Sequence, residues 1–248
     1  KTVAHLYLVE PTERLIPGGN VRLNGDEARH AAKAARLRPG EQVLLGDGQG
    51  VVARAEASRV DAEAVELVLL TVEHHDPALP PLWLVQSLAK SGRDEHAIEQ
   101  ATEVGISRVI PLQSERSIVR WENDKAEKGQ LRWQKIVTEA SKQSLQPWIP
   151  EVAPLASLTD VVSLASEMQV IALDHRAEQT LLDVELRDPL GSTPIALLVG
   201  PEGGWSDRER EAMADAGCVP ARLGPGVLRA SSAGPIAAAL LHARLRHW

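Results

Sequence analysis

Hydrophobic positions along the first part of the chain fall in short alternating runs broken by glycine, whereas beyond it they form continuous apolar runs and helix-spaced sets. From Val3 to about Val72 the pattern predicts short strands with one helix. Residues 41–45 and 51–55 flank Gly46-Asp47-Gly48-Gln49-Gly50, a glycine-rich connection that suits a hairpin. Val65, Leu67, Leu69 and Thr71 alternate with Glu66, Val68 and Leu70, which predicts a mostly buried strand. A small β-barrel is the expectation for this part. Between the strands, Asp26-Glu27-Ala28-Arg29-His30 opens a predicted helix that sets Arg29, Lys33 and Arg36 at helical spacing, with Arg38 close behind. Such a patch serves equally as a solvated helix face or as a contact for RNA phosphates.

Residues 74–81 carry three prolines and no periodicity, so they read as a linker between two domains. Strands and helices alternate after it, with 82–88 as strand, 95–104 as helix and 108–112 as strand. Leu131, Ile136, Val137 and Ala140 lie at helical offsets within 130–144, and Pro147 and Pro150 stop that helix. Residues 170–173 and 195–199 are short apolar runs of the kind found in buried parallel strands. Residues 206–216 and 231–246 form the last helices, which makes the larger part an α/β domain.

The composition, 44% hydrophobic and 25% charged over 248 residues, is that of a globular chain. Cys218 is the one cysteine, so no intramolecular disulfide and no cysteine-based zinc site can form; its expected role is a small buried residue. No apolar run approaches the roughly 20 residues that span a bilayer, and the N-terminus lacks the apolar stretch of a signal peptide. A cytoplasmic protein without membrane contact is expected. The eight histidines form no HExxH and no paired-ligand spacing, so no metal is expected. A net charge of -7 argues against coating nucleic acid by bulk electrostatics; an RNA-acting protein of this composition must gather its basic residues locally.

The most informative stretch runs from Leu197 to Glu209: a buried strand, the loop Gly200-Pro201-Glu202-Gly203-Gly204, and a helix whose Ser206 and Glu209 have capping-box spacing. The loop is neither a nucleotide-triphosphate loop nor G-x-G-x-x-G. By itself it could be a plain strand-to-helix connection. A second strand, 219–223, leads into Gly224-Pro225-Gly226-Val227-Leu228-Arg229 and another helix. Two such loops can converge on one crevice at the carboxyl edge of a parallel sheet, where α/β proteins bind cofactors.

Val199-Gly200-Pro201-Glu202-Gly203-Gly204, followed by Leu223-Gly224 and Val227-Leu228-Arg229, resembles the knotted SPOUT methyltransferases, and within them the bacterial RsmE-type family. The resemblance covers nearly the whole chain. His30 with Arg36-Leu37-Arg38-Pro39-Gly40 is similar to the family's PUA-like N-terminal domain. Lys90, Arg93, Glu103-Val104-Gly105, Arg116-Ser117 and Glu139-Ala140 with Gln143 are similar to its central blocks.

The resemblance implies a PUA-like, RNA-binding β-barrel over 1–75 and a trefoil-knotted α/β methyltransferase domain over 76–248. It further implies transfer of a methyl group from S-adenosyl-L-methionine to N3 of a uridine in small-subunit (16S) ribosomal RNA, by a homodimer. The cofactor would be held by Leu173, by Leu198, Val199, Gly200, Pro201, Glu202 and Gly203, and by Leu223, Gly224, Val227 and Leu228, largely through main-chain groups. Arg29, His30, Lys33, Arg36, Arg38, Arg93 and Arg116 are the candidate RNA contacts. Two departures stand out: Ala230-Ser231-Ser232 where the family usually has Thr-Glu-Thr, and Gln146 where an arginine is common.

Neutral uridine is a poor nucleophile because N3 carries a proton, so the enzyme must stabilise the anion or remove the proton. Arg229 is the first catalytic candidate, as a permanent cation beside the uracil carbonyls. Glu202 is the second, as a carboxylate base, with an equal alternative role of binding backbone donors and fixing its loop. Other 2′-O-ribose methylation, or a non-catalytic RNA-binding or ribosome-assembly role, are the competing readings.

Overall fold

The computed structural model describes residues 5–10 and 14–248, and Val3 of the predicted first strand lies outside them. The chain divides into two compact units: residues 1–77 with 141–149, and residues 78–140 with 150–248.

The first unit is built on five strands, β1 (Leu6–Leu8), β2 (Asn20–Asn24), β3 (Gln42–Gly46), β4 (Val51–Val60) and β5 (Ala64–His74), in the order β1-β3-β4-β5-β2. β1 runs parallel to β3 and the other ladders are antiparallel. Register irregularities at Arg54/Ala55 and Ala57/Arg59 bend β4, as bulges do. The expected barrel differs in one respect: among the described residues the edge strands β1 and β2 do not pair. Leu67 and Leu69 point with Val65 into the core, while Thr71 and Leu70 are exposed, so β5 is buried on one face and less buried than its composition predicts.

The predicted hairpin forms between β3 and β4. Its turn explains why residues 141–149 cluster with this unit, an attachment the sequence pattern does not foreshadow. Gly50 N–H donates to Pro147 O (3.0 Å), Ile149 N–H donates to Gly48 O (3.0 Å), and Trp148 Nε1 donates to His75 O (2.9 Å). A Cβ on Gly50 would stand 2.6 Å from the Trp148 ring and one on Gly48 2.7 Å from Ile149. Both glycines have positive φ, so both the turn and the close packing require them.

The predicted helix after β2 is short. α1 (Gly25–Arg29) passes into one π-helical turn, His30–Ala34, and the chain then breaks at Arg36, whose φ is +52°. Arg36 and Arg38 therefore do not continue the helical row of Arg29 and Lys33. Small alanines fill the inner positions, Ala28 and Ala31, and Leu37, beyond the break, packs against the same core.

The second unit is a six-stranded, wholly parallel sheet in the order β11-β9-β10-β6-β7-β8. Its strands are β6 (Leu82–Ser87), β7 (Arg108–Leu112), β8 (Glu151–Val152), β9 (Gln169–Leu173), β10 (Ile195–Val199) and β11 (Val219–Ala221). Its helices are α2 (Arg93–Val104), α3 (Asp124–Gln143), α4 (Leu158–Ser163), α5 (Asp207–Asp215) and α6 (Ala230–Arg244). Residues of β10 alternate between two hydrophobic clusters: Ile195, Leu197 and Val199 pack with Ile98, Trp133, Ala237 and Leu241, whereas Ala196 and Leu198 pack with Val161, Trp205, Met213 and Cys218. α2, α3 and α6 thus cover one face of the sheet and α4 and α5 the other, which is why β10 is apolar at every position. Among the described residues no helix is long and apolar enough to cross a membrane.

Candidate active site

Parallel strands β9, β10 and β11 end side by side, and the loops that leave them wall a cavity of about 430 Å³. Leu173, Val199, Gly200, Pro201, Glu202, Gly203, Leu223, Val227 and Leu228 line it, as the sequence predicts. Leu198 does not. Its neighbour Val199 faces the cavity side of the sheet, so the strand alternation turns Leu198 into the opposite core, where it is fully buried. Gly224 is also absent from the lining, and Gly226 stands in its place.

A Cβ on Gly200 would meet the Trp205 ring at 3.0 Å, and one on Gly203 would meet Arg116 Cβ at 3.2 Å. These two allow close packing of the loop, and both also line the cavity. Trp205 is buried and its Nε1 donates to Leu173 O (3.0 Å), so it ties the end of β9 to the loop after β10. Gly226, by contrast, has open space where a Cβ would stand, and it lines the cavity.

Two further ties hold the loop. Glu202 accepts from Lys90 N–H (3.2 Å) and from Arg93 Nη1 (3.1 Å). Arg116 Nη1 donates to Gly203 O (3.0 Å). Glu209, buried in α5, accepts from Ser206 N–H (2.8 Å), completing the predicted capping box, and from Glu115 N–H (2.8 Å), which draws the residues after β7 against the loop. Arg93 and Arg116, expected from sequence as RNA contacts, each also tie the cavity wall to its neighbours.

Arg229 lines the cavity at the N-terminus of α6 and forms no ion pair with any described residue. Asp174, which sequence reasoning missed, is held by Arg210 Nε at 2.6 Å. Burial pushes the Asp174 carboxyl up, but hydrogen bonds from Arg210 and from the Arg176 N–H, with the Arg210 charge, outweigh it and leave it below the usual range. Both carboxylates that line the cavity are therefore engaged by arginines. Asp94, also missed, is buried and accepts from Ala89 and Glu95 N–H (3.0 and 2.9 Å), which shapes the turn after β6. Its place in the first turn of α2 was the available signal.

The remaining candidates belong to the first unit. Arg29 is paired with Asp26 and Glu63, so its charge is largely answered locally. His30 stands edge-on to Tyr7 with ring centroids 5.8 Å apart. Lys33, Arg36 and Arg38 are exposed.

Main-chain N–H groups of Leu223, Gly226, Val227 and Leu228 make no hydrogen bond with a described residue, although these residues line the cavity. With the open space at Gly226, they give a donor set and room for a ligand that carries hydrogen-bond acceptors. A family model described as an RNA methyltransferase domain matches residues 77–242, and one described as an RNA methyltransferase PUA domain matches residues 23–70. Fold, cavity and these matches define the class, an RNA methyltransferase with an attached PUA domain.

Two relatives narrow it. The chain is 36% identical over 231 residues to a ribosomal RNA small subunit methyltransferase E of Mycobacterium tuberculosis, covering 91% of this chain and 87% of the relative. It is 32% identical over 245 residues to the protein of that name from Synechocystis sp., covering 98% and 78%. Among solved structures, a ribosomal RNA small subunit methyltransferase E from Neisseria gonorrhoeae bound to S-adenosyl methionine superposes with a TM-score of 0.85, at 28% identity and 97% coverage of both chains. The chain belongs to the ribosomal RNA small subunit methyltransferase E family.

Proposed function

We propose that this chain uses S-adenosylmethionine to methylate N3 of a uridine in the RNA of the small ribosomal subunit, in the cytoplasm, as a homodimer with a trefoil-knotted second domain. The observation that carries the reading is the cavity at the ends of β9–β11, with its unengaged N–H groups and the uncompensated Arg229 beside it. Leu173, the loop at 199–203 and the loop at 223–228 would hold the cofactor. When bound, it supplies an electrophilic methyl group on a sulfonium.

This chain's own part is to make N3 nucleophilic. Arg229 is the first residue before α6, so the partial positive charge of the helix N-terminus adds to its guanidinium. Together they favour the deprotonated uracil, whose charge spreads onto its carbonyl oxygens. Glu202 is a positioning residue in this reading: both its partners are donors of the turn after β6, and its charge is spent on them. With Asp174 likewise engaged, the N3 proton leaves to solvent.

The placement of β10 and β11 on either side of β9 supports a chain path that crosses the end of β9, as a knot requires. Val227, Leu228 and Ile236 are exposed apolar residues on the crevice loop and α6, which supports a second copy covering that face. Calorimetric titration with S-adenosylmethionine, then methylation of small subunits and nucleoside digestion, tests the reading. Saturable binding and N3-methyluridine are expected. No binding, or a ribose-methylated product, would overturn it.

A further inference from the structure

The cavity is far more positive than the chain around it. Six arginines line it against two carboxylates, Asp174 and Glu202, in a chain of net charge -7. Three of the six are answered: Arg93 by Glu202, Arg210 by Asp174, and Arg176 by Asp207 at 3.7 Å. Among the described residues, Arg116, Arg222 and Arg229 have no carboxylate partner. Arg116 donates only to a neutral carbonyl.

Arg222 is the most telling of the three. Its main chain is fixed, with N–H donating to Gln179 O (3.1 Å) and O accepting from Leu181 N–H (2.8 Å). Its Nε is buried and has no acceptor. A buried donor on a charged group without an acceptor is costly, and such a group calls for a partner, an ordered water or a ligand, that completes it. Asp183 lies within reach of the Arg222 charge, but its Oδ2 is taken by Thr180 N–H and Oγ1 (3.3 and 2.7 Å), and no ion pair forms.

The cofactor does not account for this surplus. S-adenosylmethionine carries a sulfonium and an ammonium against one carboxylate, so it is itself a net cation and gains nothing from added positive charge. A strand of RNA is the polyanion that does, and a guanidinium fork matches a phosphodiester in shape and charge.

We propose that Arg222, with Arg116 and Arg229, forms an anion site on the cavity wall that takes a backbone phosphate of the substrate RNA strand. This rests on the methyltransferase reading above, and it places phosphate recognition within the second unit, on a residue that the sequence motifs do not single out. The site positions the strand and carries no sequence information.

The test uses the full chain, fluorescent oligouridylate as the RNA probe over a range of salt, and calorimetry with S-adenosylmethionine. Arg222→Gln is expected to weaken oligouridylate binding about tenfold and to lower the slope of log affinity on log salt by about 0.7, the contribution of one single-strand phosphate contact. Cofactor affinity should stay within about twofold, and Arg222→Lys should restore the salt slope. Unchanged RNA affinity in Arg222→Gln would overturn the proposal, as would parallel loss of cofactor affinity, which would assign Arg222 to the cofactor carboxylate. The wild-type chain with uncharged methylphosphonate oligouridylate gives a check independent of any substitution: binding should be lost, and undiminished binding would overturn the site. Failure of wild-type protein to bind S-adenosylmethionine would instead sink the methyltransferase reading while leaving the Arg222 comparison interpretable.

Discussion

Replacing Glu202 with glutamine separates two roles that its place beside the cavity allows. The carboxylate accepts from Lys90 N–H at 3.2 Å and Arg93 Nη1 at 3.1 Å, with Arg93 and Glu202 side chains 38% and 19% exposed. Solvent screening at that exposure reduces the ion pair to well under about 1 kcal/mol. The bond from the Lys90 N–H is exposed but charge-assisted, and it weakens by about 0.5 kcal/mol when an amide replaces the carboxylate. Together about 1 kcal/mol of loop order is lost, which corresponds to a cofactor affinity about fivefold weaker if the loop must be ordered to bind. Calorimetry gives that affinity, and single-turnover methylation at saturating cofactor gives the chemical rate, which should change by less than about threefold. A general base contributes about 10²–10⁴-fold. A collapse of the rate on that scale with cofactor affinity intact would refute the positioning role and make Glu202 the base.

Three other outcomes follow from the packing and the charges. His242 is pushed down to about 4 by burial and then by the neighbouring His247 ring, below its ordinary 6.5, so the unfolded chain takes up that proton first. Stability should be full above about pH 6.5 and fall by about 3 kcal/mol as pH drops toward 4, and urea titrations of His242→Leu should lack that share of the slope; an identical slope would refute it. Gly234→Ala places a Cβ 2.8 Å from Leu84 Cδ1 in the packed face under α6; a cost of about 1–3 kcal/mol, partly offset by helix propensity, should lower Tm by a few degrees, and a raised Tm would show that Leu84 yields. Glu209→Ala removes the acceptor of both Ser206 and Glu115 N–H from a buried position, and the denaturant midpoint should report a loss of about 2–3 kcal/mol; a loss within error would mean water replaces it.

The fold was legible wherever one physical cause dominated. β7 and β10 fall on the predicted residues because an apolar run bounded by polar residues has no other place in a parallel sheet, and Ser206 with Glu209 marks the start of α5 because capping is local chemistry. Arg36 shows the limit: its spacing from Arg29 is helical, yet the turn at His30–Ala34 widens and φ at Arg36 reverses, which no side-chain pattern announces. Residues 141–149 join the first unit through a tryptophan and an isoleucine seated on glycines nearly a hundred positions away, contacts that only the folded chain creates. Gly200 and Gly203 show a second cause that sequence does not display: besides lining the cavity, they make room for Trp205 and Arg116.

Charge is where sequence reasoning most understates the site. A net charge of -7 fits a chain that does not coat nucleic acid, and the basic cluster at 29–38 was the visible candidate for RNA. Net charge sums over the surface, whereas a phosphate responds to groups within about a Debye length, roughly 8–10 Å at ordinary salt. Within the cavity, pairing decides what remains: Arg93, Arg176 and Arg210 each have a carboxylate, and Arg29 outside it has two. Which arginines keep their charge free is set by partners brought from distant strands, as Asp174 after β9 meets Arg210 in α5. The free cations left by that pairing, Arg116, Arg222 and Arg229, come from three separate stretches of sequence and share one cavity. The net charge of an acidic chain therefore does not tell how much positive charge it can gather in one cavity.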